Sequence, residues 1–311
     1  MVGMQSPLIF FGNERLATGL TDTAPVTFQR LIERYEVAAV VTPFKASRSR
    51  KARPLEIEVA ARTAGVPVIN PPNKEALLPL LQPFGARLGV LAAFGMIVPP
   101  EVIASFEYGI INVHPSLLPR YRGSTPIEQA ILDGADETGV SIMQLDQGMD
   151  TGPVLAQQTV RLTGTESKAE VARRLQELGA KLVMQQVAAV TDGTVHPTPQ
   201  NPEQATYCTP LTKADGLIDW QKPAVRLERE VRAYLGWPGS RTTLLGREVT
   251  LTQARVATEA PATTAQLGDH TVSGEEIWVR TGDGTLAIQR LKPAGKHEMA
   301  AGDFARGQRP E

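Results

Sequence analysis

The sequence predicts an α/β protein in which a doubly wound N-terminal domain is followed by a smaller, β-rich C-terminal one. Three observations carry that expectation. Short apolar runs of strand length alternate with segments of helical period as far as residue 190, the order expected of a parallel sheet covered by helices. Residues 191–210 then become rich in Pro, Gln, Thr and Asn and lose apolar periodicity, which is how an exposed connector reads. Beyond them come two hairpin patterns with glycine at the turns. The expected boundaries are therefore 1–190 for the first domain, 191–210 for the linker and 211–311 for the second.

Each element has a local reason. Residues 7–11 form an apolar run stopped by Gly12-Asn13, a buried first strand entering a turn. Val26, Leu31, Ile32 and Tyr35 recur at near-helical spacing, and the β-branched run 37–42 follows as a second strand. Pro54 suits the first position of a helix ending near Gly65, and 66–70, 88–93 and 109–113 read as further buried strands. Thr125-Pro126-Ile127-Glu128 has the hydroxyl, proline and glutamate of a helix start, with Gly134 as the stop. A strand over 138–145 and a long helix over 167–190 complete the first domain. In the second, 223–235 is helical in pattern, and 242–256 and 275–291 read as hairpins turning at Gly246-Arg247 and Gly282-Asp283-Gly284.

Composition narrows the function classes. With 42% hydrophobic and 21% charged residues, a chain of 311 residues can bury a sizeable core as a globular protein without staples. The lone Cys208 cannot form an intrachain disulfide, and no signal-peptide pattern is seen, so a cytoplasmic setting is expected. Pro, Gly or a charge interrupts every apolar stretch before the roughly 18 residues that would span a bilayer, so no membrane association is expected. A net charge of -1 provides no global attraction to nucleic acid; a polyanion would have to meet a local basic cluster.

The chemistry concentrates in Asn112-Val113-His114 and in Asp150. Residues two apart on a strand share a face, so Asn112 and His114 converge where alternation would predict core. An Asn amide can donate to a developing oxyanion, a His can move a proton, and a carboxylate can orient and charge that His. Pro115 biases His114 towards extended backbone angles and so aims the strand end. Taken singly, each piece also has an ordinary structural meaning: a polar strand end, or Asp146 and Asp150 as turn residues around Gly148. No protein nucleophile accompanies them, since Cys208 lies in the connector and Ser116 lacks a glycine-flanked elbow, so the attacking group is expected from the substrate. The four histidines, His114, His196, His270 and His297, are scattered, and no metal is expected.

Together the pieces resemble a known family. Asn112-Val113-His114, Ser116-Leu117-Leu118-Pro119, Arg122-Gly123, Pro126-Ile127, Glu137-Thr138-Gly139-Val140, Met143 and Asp150-Thr151-Gly152-Pro153 are similar in type and spacing to the central block of the formyltransferases that use 10-formyltetrahydrofolate. Leu211-Thr212-Lys213, Ile218-Asp219-Trp220, Arg232-Ala233-Tyr234, Trp237-Pro238-Gly239 and 291–296 resemble the tail of the branch acting on methionyl-tRNA. The resemblance implies a Rossmann-like first domain, a C-terminal β-barrel of oligonucleotide-binding (OB-like) form that assists tRNA binding, and Asn112, His114 and Asp150 as the catalytic set. It implies folate contacts from Ser116, Leu117, Leu118 and Pro119, and from Phe94, Gly95, Met96 and Ile97, which resemble the segment lining the pteridine pocket. Departures are Pro115, where the family commonly has Gly, and a first turn, 11–15, without Gly-Thr-Pro.

Lys45, Arg48, Arg50, Lys51 and Arg53 form the dense basic cluster of the chain, at a βα connection on the carboxyl side of the sheet where ligands of doubly wound folds bind. Such cations can track phosphates, and the resemblance implies that a loop here meets the tRNA acceptor stem. The expected function is formyl transfer from 10-formyltetrahydrofolate to the α-amine of initiator methionyl-tRNA, by a monomeric enzyme. The alternatives are a related formyltransferase or hydrolase acting on an amino sugar, a nucleotide amine or water, and a non-catalytic RNA-binding protein on the same scaffold.

Overall fold

β1 (Leu8–Gly12) is buried along its whole length, and such a strand needs neighbours at both edges and cover on both faces. The computed structural model, which describes residues 7–20, 23–43, 54–258 and 266–308, supplies them in the order the alternating pattern predicts. α1 (Val26–Ile32), β2 (Val37–Val41), α2 (Glu56–Thr63) and β3 (Val68–Ile69) build one side of the sheet. α3 (Leu77–Leu81), β4 (Leu88–Ala92), α4 (Pro100–Ala104) and β5 (Ile110–His114) build the other. After β6 (Arg122–Gly123) and α5 (Pro126–Asp133), β7 (Glu137–Gln144) and β8 (Val154–Arg161) extend the same sheet, and α6 (Lys168–Thr191) and β9 (Tyr207–Cys208) follow.

The seven strands run β3-β2-β1-β4-β5-β7-β8; β1 to β5 pair in parallel, and β7 and β8 are antiparallel. Strand order reverses between β1 and β4, the switch point whose carboxyl edge binds ligands in doubly wound folds. The two backbones approach closely there. Gly12 has φ +132°, and a Cβ on it would stand 1.9 Å from the Ala92 carbonyl oxygen, so only glycine fits. Below this edge Phe11 packs edge-on to Phe94 and Phe106, at ring-centroid distances of 5.6 and 6.0 Å. Beside it, the buried Glu14 carboxylate accepts from the amides of Thr27 and Phe28, both at 2.8 Å, and closes the start of α1, which has no capping side chain of its own. Burial pushes the Glu14 carboxyl above its usual range against the pull of those two amides.

The chain divides into two units: one of 1–127, 137–162 and 169–209, the other of 128–136, 163–168 and 210–311. The second unit holds α7 (Ala224–Ala233), the antiparallel strands β10 (Ser240–Leu244), β11 (Arg247–Val256), β12 (His270–Ser273), β13 (Glu276–Arg280), β14 (Thr285–Pro293) and β15 (Met299–Ala300), and α8 (Ala301–Arg306). Their ladder runs β10-β11-β14-β13-β12, with β15 on β14, and register shifts around Gln253 interrupt β11. One core joins Leu227 and Val231 of α7 and Phe304 of α8 to Leu251, Ile277, Leu286, Ile288 and Leu291 of the sheet. In the same unit Lys168 is fully buried; its ammonium lies 3.8 Å from Glu128 and donates to the Trp237 carbonyl at 3.2 Å. Burial lowers its pKa from 10.5 to about 8.

Among the described residues, no helix is long and apolar enough to cross a membrane. The stretch 191–210 is largely exposed, as a connector would be, and also carries β9, which pairs in parallel with β6 and buries Cys208. Thr198 also bridges to Val154, so these residues complete the first unit.

Candidate active site

β5 lies between β4 and β7, with Asn112 opposite Leu91 and Met143, and His114 opposite Ser141. The strand is buried throughout, and its two polar side chains are only 6% and 4% exposed. Buried polar groups need partners or substrates, and His114 has partners at both ring nitrogens. Nε2–H donates to the Tyr121 carbonyl at 3.0 Å, and Nδ1 faces Oδ2 of Asp150 at 3.7 Å. The sequence predicts that Asp150 orients the ring. The hydrogen bond that holds the ring comes instead from a backbone oxygen, which leaves the carboxylate at the opposite nitrogen, beyond hydrogen-bond length.

Asp150 sits in the loop between β7 and β8 at φ +53°, left-handed backbone that a non-glycine residue adopts at a cost. Its Oδ2 also accepts from the Gly123 amide at 2.9 Å. Asp146, the other acid beside Gly148, does the turn work: it accepts from the Gly148 amide at 3.0 Å and from the Thr151 hydroxyl at 2.8 Å. The two acids flanking Gly148 thus have different surroundings, Asp146 shaping the loop and Asp150 facing the imidazole.

The loop after β5 is pinned by residues that the sequence reading did not select. The Ser141 hydroxyl donates to the Ser116 carbonyl at 2.6 Å and accepts from the Leu118 amide at 3.0 Å, and the Gln157 amide donates to the Leu118 carbonyl at 2.7 Å. Ser116 is fully buried and spends its hydroxyl on the Arg120 carbonyl. Leu118 is buried, Leu117 and Pro119 are half-buried, and the Leu118–Pro119 peptide is cis.

Residues 94–97 divide between two environments. Phe94 is 1% exposed, and its ring belongs to the core against Phe11. Gly95 is exposed at φ +70°, Met96 is half-buried, and Ile97 is 81% exposed after the turn that follows β4. Met149 next to Asp150 is also exposed, at 59%. Ile97 follows β4 and Met149 follows β7, each an exposed apolar side chain in the loop after its strand. Lys45, Arg48, Arg50, Lys51 and Arg53 lie outside the described residues. Among the described residues, no group of three or more His, Cys, Asp or Glu could hold a metal ion.

An amide, an imidazole and a carboxylate gathered at the carboxyl edge of a doubly wound sheet are the equipment of a group-transfer enzyme that works on a carbonyl. Residues 31–187 match the Formyl transferase family, and residues 210–309 match Formyl transferase, C-terminal domain. The chain belongs to the formyl transferase family. It is 37% identical over 315 residues to the methionyl-tRNA formyltransferase of Roseiflexus castenholzii, covering 98% of this chain and 97% of that protein. It is 39% identical to the protein of the same name from Roseiflexus sp. strain RS-1, covering 97% and 92%. Among solved structures, HypX from Aquifex aeolicus in complex with tetrahydrofolic acid aligns with a TM-score of 0.65 at 17% identity, over 98% of this chain and 47% of that one. The sugar 3N-formyl transferase WlaRD aligns at 0.67 and 14%, over 94% and 99%. These two likenesses are of fold.

Proposed function

We propose that this protein transfers the formyl group of 10-formyltetrahydrofolate to the α-amino group of methionine esterified to initiator tRNA, giving N-formylmethionyl-tRNA. The observation that carries the reading is the buried pairing of His114 with Asp150 beside Asn112 on β5, in a chain that matches enzymes of that name over nearly their whole length. The folate donor supplies a formyl group on nitrogen; the protein's residues do the rest.

Asn112 donates from its side-chain amide to the formyl oxygen as that oxygen gains charge, a contribution of roughly 2.7–4 kcal/mol for comparable donors at acyl centres. The acceptor amine brings its own lone pair, and with a free α-amino pKa of about 8 a useful fraction is neutral at physiological pH. As the new carbon–nitrogen bond forms and the bond to the folate nitrogen breaks, the amine loses one proton and the folate nitrogen gains one. The Nδ1 edge of His114 is the edge open to that transfer, because Nε2 is engaged by the Tyr121 carbonyl. Asp150 stabilises the imidazolium from 3.7 Å. Cys208, buried with its thiol towards the Arg122 carbonyl, and Ser116, bonded to Arg120, are poorly placed as nucleophiles, in keeping with direct attack by the amine.

The test is an acceptor panel. Purified protein with 10-formyltetrahydrofolate is offered methionyl-tRNA, a nucleotide-linked amino sugar, a glycinamide nucleotide, or water alone. Formylation of methionyl-tRNA in clear preference to the others is expected. Formylation of one of the other amines, or hydrolysis of the donor, in preference to methionyl-tRNA would overturn the proposal.

A further inference from the structure

We infer that Gln200, held in one orientation by Arg122, is a positioning residue for Asp150. The inference rests on the role proposed above for Asp150. Asp150 occupies left-handed backbone at φ +53° without being glycine, and such strain persists only where the surroundings over-determine it. The constraint comes from a residue fifty positions along the chain. The Gln200 side-chain amide donates from Nε2 to the carbonyl of Asp150 at 2.8 Å and to that of Gly152 at 2.7 Å, pinning the backbone immediately after the strained Cα.

The orientation of that amide is unambiguous. Its Oε1 accepts from Arg122 Nε at 3.0 Å and from Nη2 at 2.8 Å, so the fork of a buried guanidinium faces the oxygen while the NH2 group faces two carbonyls. A flipped amide would set donors against donors at one end and acceptors against acceptors at the other. Arg122 is itself held, because Nη1 donates to the Tyr207 hydroxyl at 3.0 Å and the Arg122 amide donates to the Thr206 carbonyl at 2.9 Å. The next residue, Gly123, gives its amide to the Asp150 carboxylate. One short segment, Arg122-Gly123, therefore grips Asp150 twice: directly at the carboxylate, and through Gln200 at the backbone. Hydrogen bonds of this kind fix a reacting group to within a fraction of an ångström, and a displacement of about 1 Å can cost on the order of 100-fold in rate.

The experiment measures kcat, by single turnover, and donor KM for formyl transfer by Gln200→Ala, Gln200→Met, Asp150→Ala and Gln200→Ala/Asp150→Ala, with folding checked by thermal unfolding. The Met variant preserves volume if the Ala variant folds poorly. Expected are a fall in kcat of roughly 10- to 100-fold for either Gln200 variant with donor KM unchanged, and no further fall when Gln200→Ala is added to Asp150→Ala, because a residue acting only through Asp150 has nothing left to position. Wild-type kcat in the Gln200 variants, or a full additional loss in the double variant, would overturn the inference while leaving the role of Asp150 intact. Wild-type kcat in Asp150→Ala would overturn both.

Discussion

Oδ2 of Asp150 stands 3.7 Å from Nδ1 of His114, across from the nitrogen that donates to the Tyr121 carbonyl. The imidazole is thus held by a neutral acceptor on one side and faces a carboxylate on the other, and the two contacts fall to different groups. Asp150→Asn separates them: an amide oxygen can still accept from Gly123, while the charge opposite Nδ1 is lost. A fall in kcat of about 100-fold or more is expected, within the range that acid–base groups contribute, with both KM values nearly unchanged. Steady-state kinetics showing a loss confined to KM would contradict the assignment.

Ser141 is expected to act on folate affinity. Its hydroxyl joins the Ser116 carbonyl to the Leu118 amide, so Ser141→Ala leaves two groups of the loop without that partner, at a cost of about 1–3 kcal/mol. The expected result is a several-fold rise in donor KM with kcat at saturation preserved; kcat loss at unchanged KM would argue against it.

Phe94 and Ile97 should part ways. Phe94→Ala opens a cavity against Phe11 and is expected to cost about 3–5 kcal/mol of unfolding free energy in urea. Ile97→Ala, at an exposed position, should leave stability within about 0.5 kcal/mol and raise donor KM. Equal stability losses in the two variants would contradict the division.

Lys168 makes stability depend on pH in alkali. With a folded pKa of about 8 against 10.5, the unfolded chain binds the proton more readily between those values, so stability rises as pH climbs through that window. The gain is at most about 3 kcal/mol. Urea unfolding at pH 8 and pH 10 should show it in the protein and not in Lys168→Met. At pH 7 that variant should be less stable by roughly 3–5 kcal/mol, because Glu128 loses its buried partner. A difference between protein and variant that is flat from pH 8 to pH 10 would contradict the lowered pKa.

Much of this was legible in the chain, for physical reasons. β1, β2 and β4 are buried on both faces and therefore read as apolar runs, and Pro126 marks the start of α5 because proline loses nothing at the first turn of a helix. β8 was not legible. As an edge strand it is half exposed, and its residues, Val-Leu-Ala-Gln-Gln-Thr-Val-Arg, neither alternate cleanly nor form an apolar run. Asn112, His114 and Asp150 could be named because they occur together with the other motifs in an order that resembles the family's, each alone being ordinary for its setting, whereas the acceptor that holds His114 is a backbone oxygen, which no sequence displays. Gln200 was hidden for a related reason: a polar residue in a proline-rich stretch looks like solvent-exposed linker until its contacts with Asp150 and Arg122 are seen. Phe94 and Ile97 read alike as apolar loop residues. The positive φ at Gly95 turns the chain between them, and one side chain goes inward and the other outward.

The most direct measurement is the rate of formyl transfer from 10-formyltetrahydrofolate to methionyl-tRNA by the protein and by Asn112→Ala, side by side at saturating substrates. The protein should produce N-formylmethionyl-tRNA, and the variant, lacking the amide at the oxyanion, should do so roughly 100- to 1,000-fold more slowly with donor KM unchanged. No product from the folded protein, or a variant as fast as the parent, would contradict the assignment of formyl transfer to this site.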